Sequence, residues 1–72
     1  MAKVYFKLPY GEVEVEPTPL PRRNDIVTLV NNEIPTIYNV NAVERIYEKG
    51  NFGYSVVKIL IHLSNPIPHP IK

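Results

Sequence analysis

The sequence predicts one all-β domain, a small five-stranded barrel or open sandwich with a proline-rich C-terminal tail. Three observations predict it. Apolar and polar residues alternate with period two along several short runs. Clusters of Gly, Pro, Asn and Asp punctuate those runs at about ten-residue intervals, the spacing of small β-domains. A chain of 72 residues has room for one core only.

The first two runs are Lys3-Val4-Tyr5-Phe6-Lys7-Leu8 and Glu12-Val13-Glu14-Val15-Glu16. Pro9-Tyr10-Gly11 lies between them, and a Tyr10-Gly11 loop would use the positive φ that Gly tolerates. Counting outward, Leu8 then faces Val13, Phe6 faces Val15 and Lys7 faces Glu14. Apolar meets apolar on one face and opposite charges meet on the other.

Pro17, Pro19 and Pro21 forbid a helix and cannot donate to a ladder, so this stretch is an extended connector. Arg22-Arg23-Asn24-Asp25 turns the chain. Ile26 to Val30 is a third strand, with Val27 and Leu29 on one face. Asn31-Asn32-Glu33 is a second turn.

Ile37 to Glu48 has two readings. As a strand it points Tyr38 and Val40 inward, and Val43 joins them after a bulge near Asn41-Ala42. As a helix, Asn41 caps it and Gly50 ends it. The strand is preferred because Lys49-Gly50-Asn51-Phe52-Gly53 resembles a hairpin loop. The β-branched run Tyr54 to Leu63 then gains an antiparallel partner. The predicted core is Val4, Phe6, Leu8, Val13, Val15, Val27, Leu29, Tyr38, Val40, Val43, Val57, Ile59 and Ile61. Residues 1–63 form the domain. Residues 64–72, with Pro66, Pro68 and Pro70, leave the sheet as an extended tail.

Arg23-Asn24-Asp25-Ile26-Val27-Thr28-Leu29, followed by Tyr38-Asn39-Val40-Asn41-Ala42-Val43, resembles the arrangement in small SH3-like barrels. Short proteins of bacteriophage and other mobile elements look similar. In that pattern an Asp-containing turn opens a strand, and a later strand carries the bend that lets the sheet close. The pattern prefers Gly before the Asp, where this chain has Asn24. The resemblance spans residues 22–63 and implies a fold, with no activity attached.

Composition removes several function classes. There is no Cys to close a disulfide, and two His are too few for a structural zinc site. A net charge of +1 gives no general attraction to duplex nucleic acid. The most apolar stretch, Val56 to Leu63, is too short for a membrane-spanning helix. No signal-peptide pattern opens the sequence, and a cytosolic setting is the default. Gly11, Gly50 and Gly53 suit hairpin turns rather than a phosphate loop. The prolines never take P-x-x-P spacing.

Candidate chemistry is sparse. Ser55 and His62 lie seven apart on one strand and so fall on opposite faces, which defeats a triad with Asp25. Glu12, Glu14 and Glu16 face Lys3 and Lys7 as a solvated charge ladder. His62 and His69 lack further ligands. No catalytic residue, cofactor or metal is therefore expected.

A protein partner, which includes a second copy, is the favoured expectation. Val56 and Leu60 lie opposite the core face of their strand, as do Ile26 and Val30 of theirs. A single small barrel cannot bury both faces, and exposed apolar strips of this kind mark interfaces, the alternative being that the proline-rich tail folds back and covers them. Self-association also relieves the small core of so short a chain. The alternative is single-stranded nucleic acid, contacted by Arg22, Arg23, Lys49 and Phe52.

Overall fold

The computed structural model describes residues 2–16 and 19–67. It contains β1 (Lys3–Leu8), β2 (Gly11–Val15), β3 (Ile26–Asn31), β4 (Ile34–Gly50) and β5 (Gly53–Leu63). The strands form one curled sheet in the order β2-β1-β5-β4-β3, a half-barrel open between β2 and β3. No helix occurs among the described residues, so Ile37 to Glu48 is strand throughout.

The β1–β2 hairpin corrects the expected register by two residues. Its loop is Pro9-Tyr10, and the pairs are Leu8 with Gly11, Lys7 with Glu12, Phe6 with Val13 and Val4 with Val15. Pro9, with φ already fixed, suits the first corner of the turn, and Gly11 takes φ +152° just after it. A shift of two keeps every side chain on its face, so the apolar and charged matches survive with different partners. Lys7 thus stands 3.9 Å from Glu12.

β4 does two jobs. Its first half pairs with β3, from Ile34 opposite Asn31 to Asn39 opposite Ile26. From Val40 onward it pairs with β5. The register slips between Val40 and Ala42, which leaves Asn41 unmatched where the bulge was expected. The strand changes neighbours at that corner.

The β3 turn locks against the same corner. Asn24 takes φ +76°, the left-handed conformation that Gly would take freely and Asn tolerates. Its N–H donates to the Val40 carbonyl, and Val40 N–H donates to the Asp25 carbonyl, both at 2.8 Å. With its amide nitrogen turned toward them, Asn39 also donates to the carbonyls of Asn24 and Asp25 at 3.2 Å.

β1 and β5 run parallel, with Val4 beside Ile59 and Phe6 beside Ile61. The core lies inside the curl. Val4, Leu8, Tyr38, Val40, Ile61 and Leu63 are buried there, and Phe6, Val15, Leu20, Val27, Leu29, Val43 and Ile59 pack against them. Leu20, between Pro19 and Pro21, packs against this core from the segment that leads into β3. Two expected core members are corrected. Val13 is 47% exposed because β2 is an edge, and Val57 is 39% exposed because it lies beyond the reach of β1. The expected departure from the sheet after Leu63 is also corrected, since the chain stays beside β4 as far as Ile67, while residues 68–72 of the expected tail lie outside the described residues. Ser64 N–H donates to Asn39 O at 2.9 Å, and Ile67 N–H donates to Ile37 O at 2.7 Å.

Candidate protein-interaction surface

The distal parts of β4 and β5 leave the body as a two-stranded arm. β1 pairs with β5 only at Lys58–His62, and β3 pairs with β4 only as far as Asn39. Among the described residues, Tyr47 to Gly50 and Gly53 to Val56 therefore have only each other as sheet neighbours. A second register slip, between Ile46 and Tyr47, marks where the arm begins. The molecule measures 56 × 23 × 22 Å, far from a compact sphere.

The arm's faces differ. Arg45, Tyr47 and Lys49 share one face by alternation, and Val56 and Tyr54 lie opposite Tyr47 and Lys49 in the ladder. Glu44, Ile46 and Glu48 share the other face. One side is thus aromatic and basic, and the other carries both acids, with Lys58 opposite Ile46 at its base. At the tip, Asn51 and Phe52 form the loop between Gly50 and Gly53. Gly53 takes φ +114°, and the Phe52 side chain is fully exposed. Tyr47 and Tyr54 are also exposed.

A groove of about 500 Å³ opens between β2 and β3, where the barrel fails to close. Phe6, Leu8, Val13, Val15, Leu29 and Tyr38 make it apolar, and Tyr10 stands beside them. Glu14 and Glu16 are the charged residues lining it. Burial, reinforced by a hydrogen bond with Tyr10, holds the Tyr38 hydroxyl above the ordinary phenol range. The floor is therefore neutral and the lining charge is negative.

Leu60 corrects the expected interface. It is only 7% exposed, although it faces away from the barrel interior. Tyr5 on one side and Glu44 on the other are its ladder partners, and these long side chains screen it. Ile26 and Val30 are exposed along the outer edge, with Ile34 close by, and Val56 is half-buried at the base of the arm. Of the proposed nucleic-acid contacts, Lys49 and Phe52 lie at the arm's end. Arg22 and Arg23 lie in the turn beside Val40, nine residues of strand from Lys49 and up to roughly 30 Å away. The four do not form one patch.

The other polar candidates are engaged separately. His62 Nε2 lies 2.9 Å from Glu44 Oε1. Ser64 Oγ accepts from Asn39 N–H and donates to Asn65 O. The Asp25 carboxylate accepts from Arg22 N–H. Ser55 lies opposite Glu48 on the arm. Among the described residues no three His, Cys, Asp or Glu come together as metal ligands, and His69 lies outside them. No helix of the structure is long and apolar enough to cross a membrane.

Sequence reasoning missed Tyr47 and the groove, and it weighs Tyr54 only as a stacking platform for bases. The extent of β1 shows that no further strand among the described residues flanks either tyrosine. No family model, curated protein or solved structure matches the chain.

Proposed function

We propose that this chain is a non-catalytic protein-interaction or assembly module whose contact element is the β4–β5 arm. The fully exposed Phe52 at the arm's tip carries this reading. An aromatic ring held in water at the end of an otherwise unsupported ribbon does nothing for the fold. It gains free energy only when another surface covers it. The exposed Tyr47 and Tyr54 extend the same surface, and aromatic residues are the ones that dominate interface energetics.

The single-stranded nucleic-acid reading draws on the same arm, since aromatic rings stack on bases. It is the weaker reading, because Glu44 and Glu48 offset Arg45 and Lys49 along the arm and its base, and Arg22 and Arg23 are distant.

The test replaces Phe52 with a photo-crosslinking benzophenone amino acid in the intact chain, expressed in its own cellular setting. Position 48, on the opposite face, serves as control. Protease-sensitive adducts at position 52 that exceed those at position 48 are the expected result. Nuclease-sensitive adducts would replace this reading with the nucleic-acid one, and equal yields at the two positions would overturn it.

A further inference from the structure

We infer that the partner is a second copy of this chain, and that the Phe52 tip of one copy inserts into the β2–β3 groove of another. This rests on the arm being an interaction element and adds what it docks on.

The groove and the arm tip match in shape and charge. About 500 Å³ falls within the usual range of ligand pockets, roughly 300–1,000 Å³, and leaves room for an aromatic side chain. Its floor, from Phe6, Leu8, Leu29 and Tyr38, is apolar. Glu14 and Glu16 contribute negative charge, and no Lys or Arg lines it. Lys49 sits three residues before Phe52, with Arg45 on the same face of the arm. A ring entering the groove therefore brings cations toward carboxylates, the complementarity that fixes orientation and speeds encounter.

The arm cannot reach its own groove. Tyr38 on the floor and Lys49 near the tip belong to one continuous strand and stand eleven positions apart, up to roughly 35 Å. A second copy supplies the missing half at fixed stoichiometry.

Sedimentation velocity over a dilution series of the intact chain tests the inference. Wild type is expected to form species above monomer mass, at lower yield in high salt. Phe52→Ala should weaken association at least about tenfold, the loss typical of a central aromatic anchor. Glu14→Lys with Glu16→Lys should do the same through the groove. A mixture of these two variants is decisive. One keeps its groove and the other keeps its arm, so the mixture should associate where each alone does not. Adding Lys49→Glu to the groove variant should restore self-association. Circular dichroism of each variant confirms that the sheet is intact. A wild type that stays monomeric at millimolar concentration, or a mixture that fails to associate, overturns the inference. The interaction-module reading still stands if position 52 crosslinks to other proteins in the cell.

Discussion

Lys58 donates to Glu12 Oε1 at 2.8 Å across 46 positions of sequence, and its ammonium lies 4.8 Å from the centre of the Tyr5 ring. The contact runs from β5 over β1 to β2, and β5 and β2 share no ladder. The bond to Lys58 holds the Glu12 carboxyl below its ordinary value, and the same bond raises the Lys58 ammonium. A carboxyl depressed in the folded state contributes stability above its unfolded pKa and loses it as pH falls through the folded one. A raised ammonium contributes below its unfolded pKa and loses that contribution as pH rises through the folded one. The pair therefore acts across the neutral range and fades at both ends. Glu12→Gln should flatten the acid limb of a plot of urea midpoint against pH, with a small change at pH 7 because both groups are exposed. An unchanged acid limb would show that the bond is not formed in solution.

Asn24 tests how far one backbone angle holds the corner together. At φ +76° a β-branched residue is strained, and the turn also carries the Asn24–Val40 hydrogen bond. Asn24→Val should cost about 1–2 kcal/mol in denaturant unfolding. Asn24→Gly should be close to neutral, since its freedom at this angle offsets the entropy it adds to the unfolded chain. Equal effects from both substitutions would mean that the Asn side chain matters more than the angle.

Leu60 separates the roles of core and interface. It is buried, with Tyr5 and Glu44 as its ladder neighbours. Leu60→Ala should therefore cost about 2–4 kcal/mol of stability, a large share of what a domain this small has. Val30→Ser, at an exposed edge position, should stay within about 0.5 kcal/mol of wild type. Matching urea midpoints for the two variants would refute the assignment of Leu60 to the buried set.

The chain announced its strands through local signals and hid what depended on long-range pairing. Period two in Lys3–Leu8 and Ile26–Val30 was readable because each strand buries one side. The extra residue near Asn41 was readable because Val40 and Val43 cannot share a face without it. The β1–β2 register was misjudged because Pro9-Tyr10 and Tyr10-Gly11 both make acceptable loops and keep the same faces. The parallel partnership of β1 with β5 has no local signature, since it joins the two ends of the domain. The arm follows from that partnership: where β1 stops, Tyr47 and Tyr54 lose their cover. The groove was equally hidden, because it exists only where β2 and β3 fail to meet.

The β3–β4 loop shows local cost left in place. Asn32 and Glu33 take φ +53° and +67°, a turn whose twist suits a hairpin and whose second position prefers Gly. Glu33→Gly should raise stability by about 0.5 kcal/mol, the left-handed penalty removed less the entropy Gly adds to the unfolded chain. The thermal midpoint reads it directly, and a lowered midpoint would mean that Glu33 makes a compensating contact.

The arm should be the least stable part of the sheet. An isolated pair of strands is marginal in water, and the distal arm has only its own ladder. In the body, β5 has ladder partners on both sides from Lys58 to His62, and the curl encloses Val40 and Ile61, which are almost fully buried. Native-state hydrogen exchange should therefore show the bonded amides of Tyr47–Lys49 and Tyr54–Val56 exchanging roughly 100-fold faster than those of Val43 and Ile61. If the tip of a second copy's arm fills the groove, raising the protein concentration should slow exchange in the arm and leave Val43 and Ile61 unchanged. Body-like protection of the arm in dilute monomer would mean that something in the same chain supports it, and the arm would no longer need a partner.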